Sequence, residues 1–393
     1  MNYQEALDWL YSTQDFGIKL GLEAPKRLLK EFLAYPPFET KVIHVAGTNG
    51  KGSTCALIDA LARGLGERPG LFTSPHLVSY RERIRVNTQD ISEERCASLL
   101  TELRELVSDW DHHPTFFELT LALAMRHFRE CRCSLIILET GMGGRLDATT
   151  AVPADVCVLT PIALDHQKWL GNSLAEIAAE KAAIAVPGKP LITALQDPEA
   201  EKIIKQVANE ARSPLSFTTA PLTGYHLSLA GSHQKENAAL ACDALSAAGY
   251  HLTFDIVSYA LSRVTWPGRF EEWEENLILD AAHNPHAART LVQTWKEQYG
   301  GRKGHLLFGA VADKETSETI EILSEIAEVF HYVAINSPRA LSTEDLIAMH
   351  PGQPHRSVPA ALDALRSYQG LKLVTGSIFL LGEVKSPTRR SSQ

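Results

Sequence analysis

The sequence predicts an α/β fold with mainly parallel sheets, divided into two domains. Its 393 residues exceed the roughly 250–300 at which a single hydrophobic core stops growing. Short apolar runs bounded by Gly, Pro or Asp alternate with helical patterns, as is typical of parallel strands buried on both faces. The breaker cluster Trp266-Pro267-Gly268 interrupts this series. We therefore expect domains at 1–265 and 266–393, with residues 385–393 forming a loose polar tail.

The individual strands and helices follow from the same patterns. We expect strands at residues 42–46, 135–138, 156–159, 190–194, 277–279, 306–308 and 371–374. One sheet can hold the first four, and a new series of strands and helices begins after the breaker cluster. Helices are expected at about 53–65, 173–184 and 255–264.

Composition narrows the class of protein. Hydrophobic residues make up 45% and charged residues 22% of the chain, which excludes wholesale disorder, collagen and coiled coils. A net charge of -9 argues against binding nucleic acid through broad phosphate neutralisation. The six cysteines form no C-x-x-C pair, so a reducing compartment fits best. An acidic amino terminus and the lack of a long apolar run argue against secretion and membrane insertion. We expect a cytoplasmic protein without nucleic-acid or membrane partners.

A glycine-rich segment follows the first predicted strand and precedes a helix. It reads Gly47-Thr48-Asn49-Gly50-Lys51-Gly52-Ser53-Thr54. Backbone N–H groups and the positive end of a helix form a phosphate cradle, and Lys51 can reach the outer phosphates. Only two residues separate Gly47 from Gly50, so the segment differs from the common G-x-x-x-x-G-K-[ST] pattern. It predicts ATP or GTP binding, and a plain glycine turn before a helix is the alternative.

Polar residues stand at the carboxyl ends of the next two predicted strands. Glu139 ends the strand at 135–138, and Asp165 and His166 follow the strand at 156–159. An acid beside a phosphate loop is where the Mg²⁺ of a nucleotide is usually held, so Glu139 is the leading metal ligand. Taken alone, His166 is better interpreted as structural, but three polar strand ends at one rim favour a functional role.

The predicted helix at 173–184 contains one lysine on its apolar face. Lys181 lies four residues after Ile177 and three before Ile184, so the three share a face. Burial there lowers the pKa of a lysine and exposes a neutral amine to chemistry. From this segment alone, a lysine that snorkels to solvent is the favoured interpretation.

In the second predicted domain, charged residues again stand at a strand end. Asp280 and His283 follow the strand at 277–279, and Arg269 lies just past the breaker cluster. Ligand clefts are common at domain interfaces, so all three are candidates for such a cleft. For Arg269 by itself, a solvated linker role is the better interpretation.

Together these motifs resemble the folylpolyglutamate synthase and dihydrofolate synthase family, ATP-dependent amide ligases related to the Mur enzymes. The resemblance runs through nearly the whole chain. It rests on Gly47-Thr-Asn-Gly-Lys-Gly-Ser-Thr54, Thr73-Ser-Pro-His-Leu77, Glu82-Arg-Ile84, Phe117-Glu118, Leu138-Glu-Thr-Gly-Met-Gly-Gly-Arg-Leu-Asp-Ala-Thr149, Leu164-Asp-His166, Ala179-Glu-Lys-Ala182, His233-Gln-Lys-Glu-Asn237, Trp266-Pro-Gly-Arg269, Leu279-Asp-Ala-Ala-His-Asn-Pro285, Asp313-Lys314 and Val374-Thr-Gly-Ser-Ile-Phe379. Ala183 and Ala281 stand where relatives usually have glycine.

The resemblance implies a P-loop ATPase domain and a smaller, Rossmann-like α/β carboxyl-terminal domain that closes over a cleft. ATP would phosphorylate a carboxylate of dihydropteroate or of a reduced folate. The amine of L-glutamate would then attack the acyl phosphate and form an amide, leaving ADP and phosphate. The implied cofactors are ATP, two Mg²⁺ ions and a CO₂-derived carbamate on Lys181, and family habit favours a monomer.

Site residues are carried over motif by motif. The implied ATP-binding residues are Thr48, Asn49, Gly50, Lys51, Gly52, Ser53, Asn237, Arg269 and Asp280. The implied Mg²⁺ ligands are Ser74, Glu139, His166 and carbamylated Lys181. The pterin side would involve Lys19, Leu20, Gly21, Leu22, Thr115, Phe116, Phe117 and Leu146, and the glutamate side Arg83, His283 and Ser377. The catalytic set would be Lys51, Lys181, His166 and Glu139.

Two other functions remain as alternatives. A Mur-type ligase acting on a nucleotide-linked peptide precursor would share the ATP loop and the lysine, but it normally carries an extra amino-terminal domain. Only about 40 residues precede the first predicted strand here. A nucleotide-binding switch that uses GTP would need an Asn-Lys-x-Asp segment, and no asparagine in this chain is followed by lysine. A preference for GTP, with hydrolysis in the absence of an acceptor, would favour the switch.

Overall fold

The computed structural model describes residues 1–17, 21–312 and 315–386 in two compact units. The first unit comprises Met1–His76, Tyr80–Leu227 and Lys235–Val264. The second comprises Leu77–Ser79, Ser228–Gln234 and the described part of Thr265–Gln393. Leu77 belongs with the second unit because a Cβ at Gly382 would lie 2.2 Å from its carbonyl oxygen, so the two backbones are in close contact.

The first unit is built around one eight-stranded sheet. Its strands are β1 (Lys41–Ala46), β2 (Pro69–Phe72), β3 (Ile84–Val86), β4 (Gln89–Asp90), β5 (Leu135–Glu139), β6 (Val156–Leu159), β7 (Leu191–Ala194) and β8 (Leu215–Thr218). They lie in the order β4-β3-β2-β5-β1-β6-β7-β8. Six neighbouring strands of this order run parallel, namely β2, β5, β1, β6, β7 and β8. Strands β3 and β4 add an antiparallel edge next to β2. The four strands predicted for this unit all form, and they lie in this one sheet.

Helices cover this sheet. They are α1 (Tyr3–Ser12), α2 (Glu23–Glu31), α3 (Lys51–Gly64), α4 (Glu93–Leu106), α5 (Phe116–Glu130), α6 (Gln167–Leu170), α7 (Leu174–Ala182), α8 (Pro198–Glu210), α9 (Ser232–Ala247) and α10 (Phe254–Leu261). The first turn of α9 is assigned to the second unit. The central strands β1, β5 and β6 are buried along almost their whole length, which explains why they are continuous apolar runs. The ends of the parallel strands therefore carry the polar residues.

The second unit contains a six-stranded sheet in the order β13-β12-β11-β14-β10-β9. The strands are β9 (Glu271–Glu274), β10 (Leu277–Leu279), β11 (Gly304–Phe308), β12 (Ala327–Val333), β13 (Gln353–His355) and β14 (Lys372–Thr375). The helices are α11 (Pro285–Tyr299), α12 (Thr316–Leu323), α13 (Thr343–Met349), α14 (Val358–Ser367) and α15 (Ile378–Lys385). All pairs are parallel except β9 with β10.

Alternate residues of these strands enter two separate cores. Ile278 packs with Trp295 of α11 and with residues of α12, whereas Leu277 and Leu279 pack with α14 and α15. This alternation follows from the two-residue period of a strand, and it places helices on both faces of the sheet. The structure thus confirms the predicted α/β class, with a mainly parallel sheet in the first unit and a second, smaller α/β unit. No helix within the described ranges combines the length and apolar character of a membrane span.

Candidate active site

The glycine-rich segment forms a tight loop between β1 and α3 that only glycine permits at two positions. Gly47 has φ +142° and Gly50 has φ +88°. A Cβ at Gly47 would lie 1.9 Å from Thr160 Oγ1, and one at Gly50 would lie 2.8 Å from Asn237 Oδ1. The loop is therefore pressed against the end of β6 and against α9. Helix α3 begins at Lys51, two residues before the predicted start, and its N-cap Gly50 has no side chain to satisfy the first N–H groups. Such an uncapped start suits a phosphate group.

The side chains of Thr48 and Lys51 stabilise this loop through hydrogen bonds to backbone groups. The Thr48 hydroxyl donates to the carbonyl oxygen of Ala163 at 3.0 Å and accepts from its N–H at 3.1 Å. The Lys51 amine donates to the carbonyl oxygens of Gly47 at 3.1 Å and Thr48 at 3.0 Å. Lys51 thus lies over its own loop, beside the first turn of α3.

The second lysine of the site lies on the apolar helix face, as predicted, and its whole side chain is buried. Lys181 is 2% exposed, and Ile177 and Ile184 on the same face are buried. Its amine donates to the carbonyl oxygen of Gly47 at 2.8 Å. The pKa of Lys181 is lowered to about 7, chiefly by burial and also by the nearby Lys51 charge, while Asp165 and Asp147 act in the opposite direction. The interpretation of a snorkelling lysine is wrong, because the amine does not reach solvent.

Glu139 at the end of β5 is a buried carboxylate, only 5% exposed. One of its oxygens accepts the backbone N–H of Ser74 at 3.0 Å, so two of the implied metal ligands are adjacent. His166 differs, because its side chain is 50% exposed and its Nε2 lies 3.7 Å from Asp165 Oδ2. His166 also adopts a left-handed conformation, φ +50°, at the start of α6.

Oxygen atoms at the end of β5 and in α3 suit a hard divalent cation. The hydroxyls of Thr140, next in the chain, and of Thr54 in α3 are buried without a hydrogen-bond partner. No group of three or more His, Cys, Asp or Glu side chains within the described residues could hold a metal by itself. Mg²⁺ usually binds through one or two carboxylates and completes its coordination with substrate phosphates and water. The residues present therefore fit a magnesium ion that arrives with a nucleotide.

A buried network that sequence reasoning missed supports the loop after Glu139. His44 Nε2 lies 2.7 Å from the Thr149 hydroxyl, which in turn donates to Asp147 Oδ1. The other oxygen of Asp147 accepts the N–H of Met142 at 2.9 Å. Burial lowers the pKa of His44 to about 4 and raises the pKa of Asp147. The signal in the sequence was a histidine within an apolar strand, since a buried imidazole needs a polar partner.

Aromatic residues gather at the start of α5, where the pterin side was expected. Thr115 and Glu118 form a capping box, which fixes the start of the helix. Phe116 stacks on Tyr11 at 5.6 Å, and Phe117 packs against Phe72 at 5.6 Å. Of the other residues implied for this side, Gly21, Leu22 and Leu146 are partly buried, whereas Lys19 and Leu20 lie outside the described residues.

Arg83 lies beside this aromatic group and is 8% exposed. Its Cζ lies 5.2 Å from the centre of the Phe116 ring, and its Nε donates to His76 Nδ1 at 2.8 Å. Burial lowers the pKa of Arg83, while Tyr80, Tyr11 and Glu139 act in the opposite direction. The structure thus places a buried cation, implied for the glutamate side, next to a residue implied for the pterin side.

In the second unit, the ends of β10 and β14 carry the remaining implied residues. Asp280 accepts the N–H groups of Phe270 at 2.8 Å and Ala282 at 2.9 Å, so its carboxylate holds the turn before α11. Burial raises the pKa of Asp280, and the charge of Arg269 opposes this change. Asp280 therefore stabilises this turn through both of its carboxylate oxygens.

The glutamate-side residues His283 and Ser377 lie on two loops joined by hydrogen bonds. His283 is exposed, and its Nδ1–H donates to the carbonyl oxygen of Ala281 at 2.9 Å, which leaves Nε2 as an acceptor. Ser377 is buried and caps α15 by accepting the N–H of Phe379 at 3.2 Å. The loops meet where Gly376 N–H donates to the carbonyl oxygen of Ala282 at 3.0 Å.

Comparisons with known families define the class of protein. Residues 45–221 match the family model described as the Mur ligase middle domain. Residues 268–381 match the Mur ligase, glutamate ligase domain. Both the phosphate loop and the β10 and β14 loops lie within these matches. The fold is therefore that of a Mur-type ligase.

Individual relatives identify the family within this class. The dihydrofolate synthase/folylpolyglutamate synthase of Bacillus subtilis is 32% identical over 98% of this chain and 98% of its own. The Escherichia coli enzyme of the same name is 32% identical over 96% of this chain and 93% of its own. The chain belongs to the dihydrofolate synthase/folylpolyglutamate synthase family, which confirms the resemblance seen in its motifs.

Solved structures agree with this assignment. E. coli FolC in complex with DHPP and ADP has a TM-score of 0.88 and 32% identity, covering 96% of each chain. The bifunctional folylpolyglutamate synthase/dihydrofolate synthase of Yersinia pestis, complexed with AMPPNP and a Mn ion, has a TM-score of 0.88 and 31% identity. That match covers 98% of this chain and 97% of the Yersinia chain.

Proposed function

We propose that this protein is an ATP-dependent carboxylate–amine ligase that adds L-glutamate to dihydropteroate, to the γ-carboxylate of folates, or to both. The main support is the phosphate loop after β1, which leads into a helix start without a side-chain cap. In this loop, Lys51 and the buried Lys181 both donate to the carbonyl oxygen of Gly47. Family membership points to the same reaction. The proposed domain boundaries remain 1–265 and 266–393, and the proposed active form is a cytoplasmic monomer.

Nucleotide binding is assigned to the loop and to three residues elsewhere in the chain. Thr48, Asn49, Gly50, Lys51, Gly52 and Ser53 would contact the phosphates, with Asn237, Arg269 and Asp280 elsewhere on the nucleotide. When a phosphate oxygen reaches the start of α3, it can replace the carbonyl oxygens that now accept from Lys51. The lysine is already within reach, so binding costs little rearrangement of the loop.

The metal ligands are proposed to be Ser74, Glu139, His166 and a carbamate on Lys181, for two Mg²⁺ ions. A bound Mg²⁺ would neutralise the charge that spreads over the transferring phosphoryl oxygens. The buried Glu139 carboxylate fits this role because a divalent cation offsets the cost of keeping a buried group charged. A lysine with a pKa near 7 keeps a large fraction of neutral amine, which can attack CO₂ and release one proton to give the carbamate.

Amide formation needs no covalent enzyme intermediate. The substrate carboxylate would attack the γ-phosphorus and release ADP, and the glutamate amine would then attack the acyl carbon and release phosphate. The pterin side is assigned to Lys19, Leu20, Gly21, Leu22, Thr115, Phe116, Phe117 and Leu146. The glutamate side is assigned to Arg83, His283 and Ser377. An acyl phosphate hydrolyses easily, so exclusion of water from the site is part of the proposal.

Phosphate release provides the test. The protein is incubated with ATP, Mg²⁺ and L-glutamate, and dihydropteroate or tetrahydrofolate is added in turn. Glutamate- and pterin-dependent formation of ADP and phosphate is expected. Release of AMP and pyrophosphate would refute the acyl-phosphate route, and turnover with only pre-glutamylated folates would remove dihydropteroate from the substrates. Preferential GTP hydrolysis without an acceptor would favour a nucleotide switch.

A further inference from the structure

Arg83 is a buried cation whose pKa is lowered by burial and raised by the nearby charges of Glu139 and Glu82, without a direct ion pair to either within the described residues. It ends the short 3₁₀ turn Tyr80–Arg83 and is 8% exposed. In the part of the chain that the structure describes, the neighbouring Arg81 and Arg85 pair with Glu93 and Asp90, whereas Arg83 forms no ion pair. A buried charge that forms no direct ion pair is costly, so such a site favours an anion that comes from outside the chain.

His76 controls one edge of this guanidinium. Arg83 Nε donates to His76 Nδ1 at 2.8 Å. Because a guanidinium can only donate, Nδ1 must be the acceptor, and the neutral ring carries its proton on Nε2. His76 thus needs one particular tautomer in order to hold Arg83.

This hydrogen bond limits how Arg83 can bind a carboxylate. A guanidinium binds a carboxylate bidentately through two neighbouring N–H groups. The edge that includes Nε is already taken by His76. The two terminal nitrogens, which have no hydrogen-bond acceptor within the described residues, form the edge that remains.

Aromatic rings hold both partners in place. The Arg83 Cζ lies 5.2 Å from the centre of Phe116, and Tyr80 meets the edges of both Phe116 at 6.1 Å and His76 at 6.2 Å. Tyr11 stacks on Phe116 as well, with ring centres 5.6 Å apart. These rings exclude water, which strengthens an ion pair formed there.

We propose that His76 is a positioning residue, which fixes Arg83 so that its two terminal nitrogens bind a substrate carboxylate end-on. The inference rests on the proposed function, which supplies two carboxylate substrates, the pterin compound and L-glutamate. The shared chemistry is a carboxylate, and kinetics with each substrate varied in turn will identify its source.

The test compares wild type with His76→Ala and His76→Asn at saturating ATP and Mg²⁺. His76→Ala should raise KM for one of the two carboxylate substrates about tenfold or more, since a charge-assisted interaction loses its geometry. KM for ATP should not change. His76→Asn should recover most of the loss, because its side-chain oxygen can occupy the Nδ1 position. His127→Ala, a histidine change in the carboxyl-terminal half of α5, is the matched control and should leave both KM values unchanged.

A double substitution separates positioning from general damage. In an Arg83→Lys background, His76→Ala should produce no further rise in KM, because lysine has no Nε–H to be held. If His76→Ala does not fold in thermal melting, His76→Gln replaces it, since glutamine fills the space without placing an oxygen at Nδ1. Unchanged KM for both substrates, a loss that asparagine does not recover, or additive effects with Arg83→Lys would overturn the inference. A wild-type protein without glutamate-dependent ATP cleavage would refute the proposed function and this inference with it, whereas an active wild type with an unaffected alanine variant would refute the inference alone.

Discussion

Replacing Lys181 with methionine should change how the stability of the first unit depends on pH. The folded-state pKa of Lys181 is lowered from 10.5 to about 7, chiefly by burial. The unfolded chain therefore binds more protons than the folded chain between these two values, and stability rises with pH across this window. Relative to a neutral side chain, such a lysine costs ~4 kcal/mol at pH 7 and ~2 kcal/mol at pH 9.

Wild type should therefore gain about 2 kcal/mol relative to Lys181→Met between pH 7 and pH 9. Methionine has similar length and no charge, so it suits the buried face between Ile177 and Ile184. The carbonyl oxygen of Gly47 keeps a partner in the variant, because Lys51 also donates to it at 3.1 Å. The variant thus removes an ionisable group without leaving an unpaired carbonyl.

The measurement is urea unfolding of the apoprotein in buffer free of CO₂, Mg²⁺ and nucleotide. Pulse proteolysis with mass spectrometry of peptides from β1 and α3 restricts the result to the first unit, since a protein of two units need not unfold in one step. Lys202→Met, which changes an exposed lysine of α8, is the control. Parallel pH curves for wild type and Lys181→Met would contradict the reasoning, and so would an equal effect of Lys202→Met.

Three further predictions test other parts of the structure. Glu139→Gln should lower turnover roughly a thousandfold while the protein stays folded, because it removes the buried charge proposed to bind Mg²⁺, and His166→Ala should have a smaller effect. If Glu139→Gln turns over as fast as wild type at limiting Mg²⁺, Glu139 is not a metal ligand. Gly47→Ala should abolish ATP binding in calorimetry and destabilise the first unit by at least ~2 kcal/mol, since its Cβ would lie 1.9 Å from Thr160 Oγ1; normal binding would contradict the loop geometry. Burial lowers the pKa of His331 to about 4, so stability of the second unit should fall as pH drops below about 6.5. Near-ultraviolet circular dichroism should show a shallower acid loss in His331→Gln, and an unchanged acid transition would rule this histidine out as its cause.

The elements predicted correctly were those whose signal is local in the sequence. Strand β1 and helix α3 could be placed because an apolar run, two glycines and a lysine follow one another directly. Strand β2 was not predicted, because its Pro69 and Gly70 look like a turn. Gly70 is nevertheless required there, since a Cβ would lie 2.7 Å from the ring of Phe128 on α5. That contact joins residues far apart in sequence, so no local pattern could indicate it.

The candidate site shows the same division. Lys181 could be assigned to the apolar face from helical spacing, because Ile177 and Ile184 define that face, but the burial of its amine could not. The hydrogen bond between His76 and Arg83 could not be predicted, although both lie in recognised motifs, since it depends on how the loop after β2 folds back before β3. Resemblance supplies roles for individual residues, whereas the pairing of two side chains needs the fold.

The carbonyl oxygen of Gly47 joins two lysines that differ in environment. Lys51 and Lys181 both donate to it, at 3.1 Å and 2.8 Å, and their mutual repulsion adds to the cost of keeping both charged. Lys51 also has the Thr48 carbonyl oxygen as an acceptor and lies on the loop itself, so it can turn toward an arriving phosphate. Lys181 is held from the buried side by α7 and stays where it is. Phosphate binding would thus draw one positive charge away from Gly47 and leave the other lysine, whose pKa is near neutrality, as the group proposed to form the carbamate.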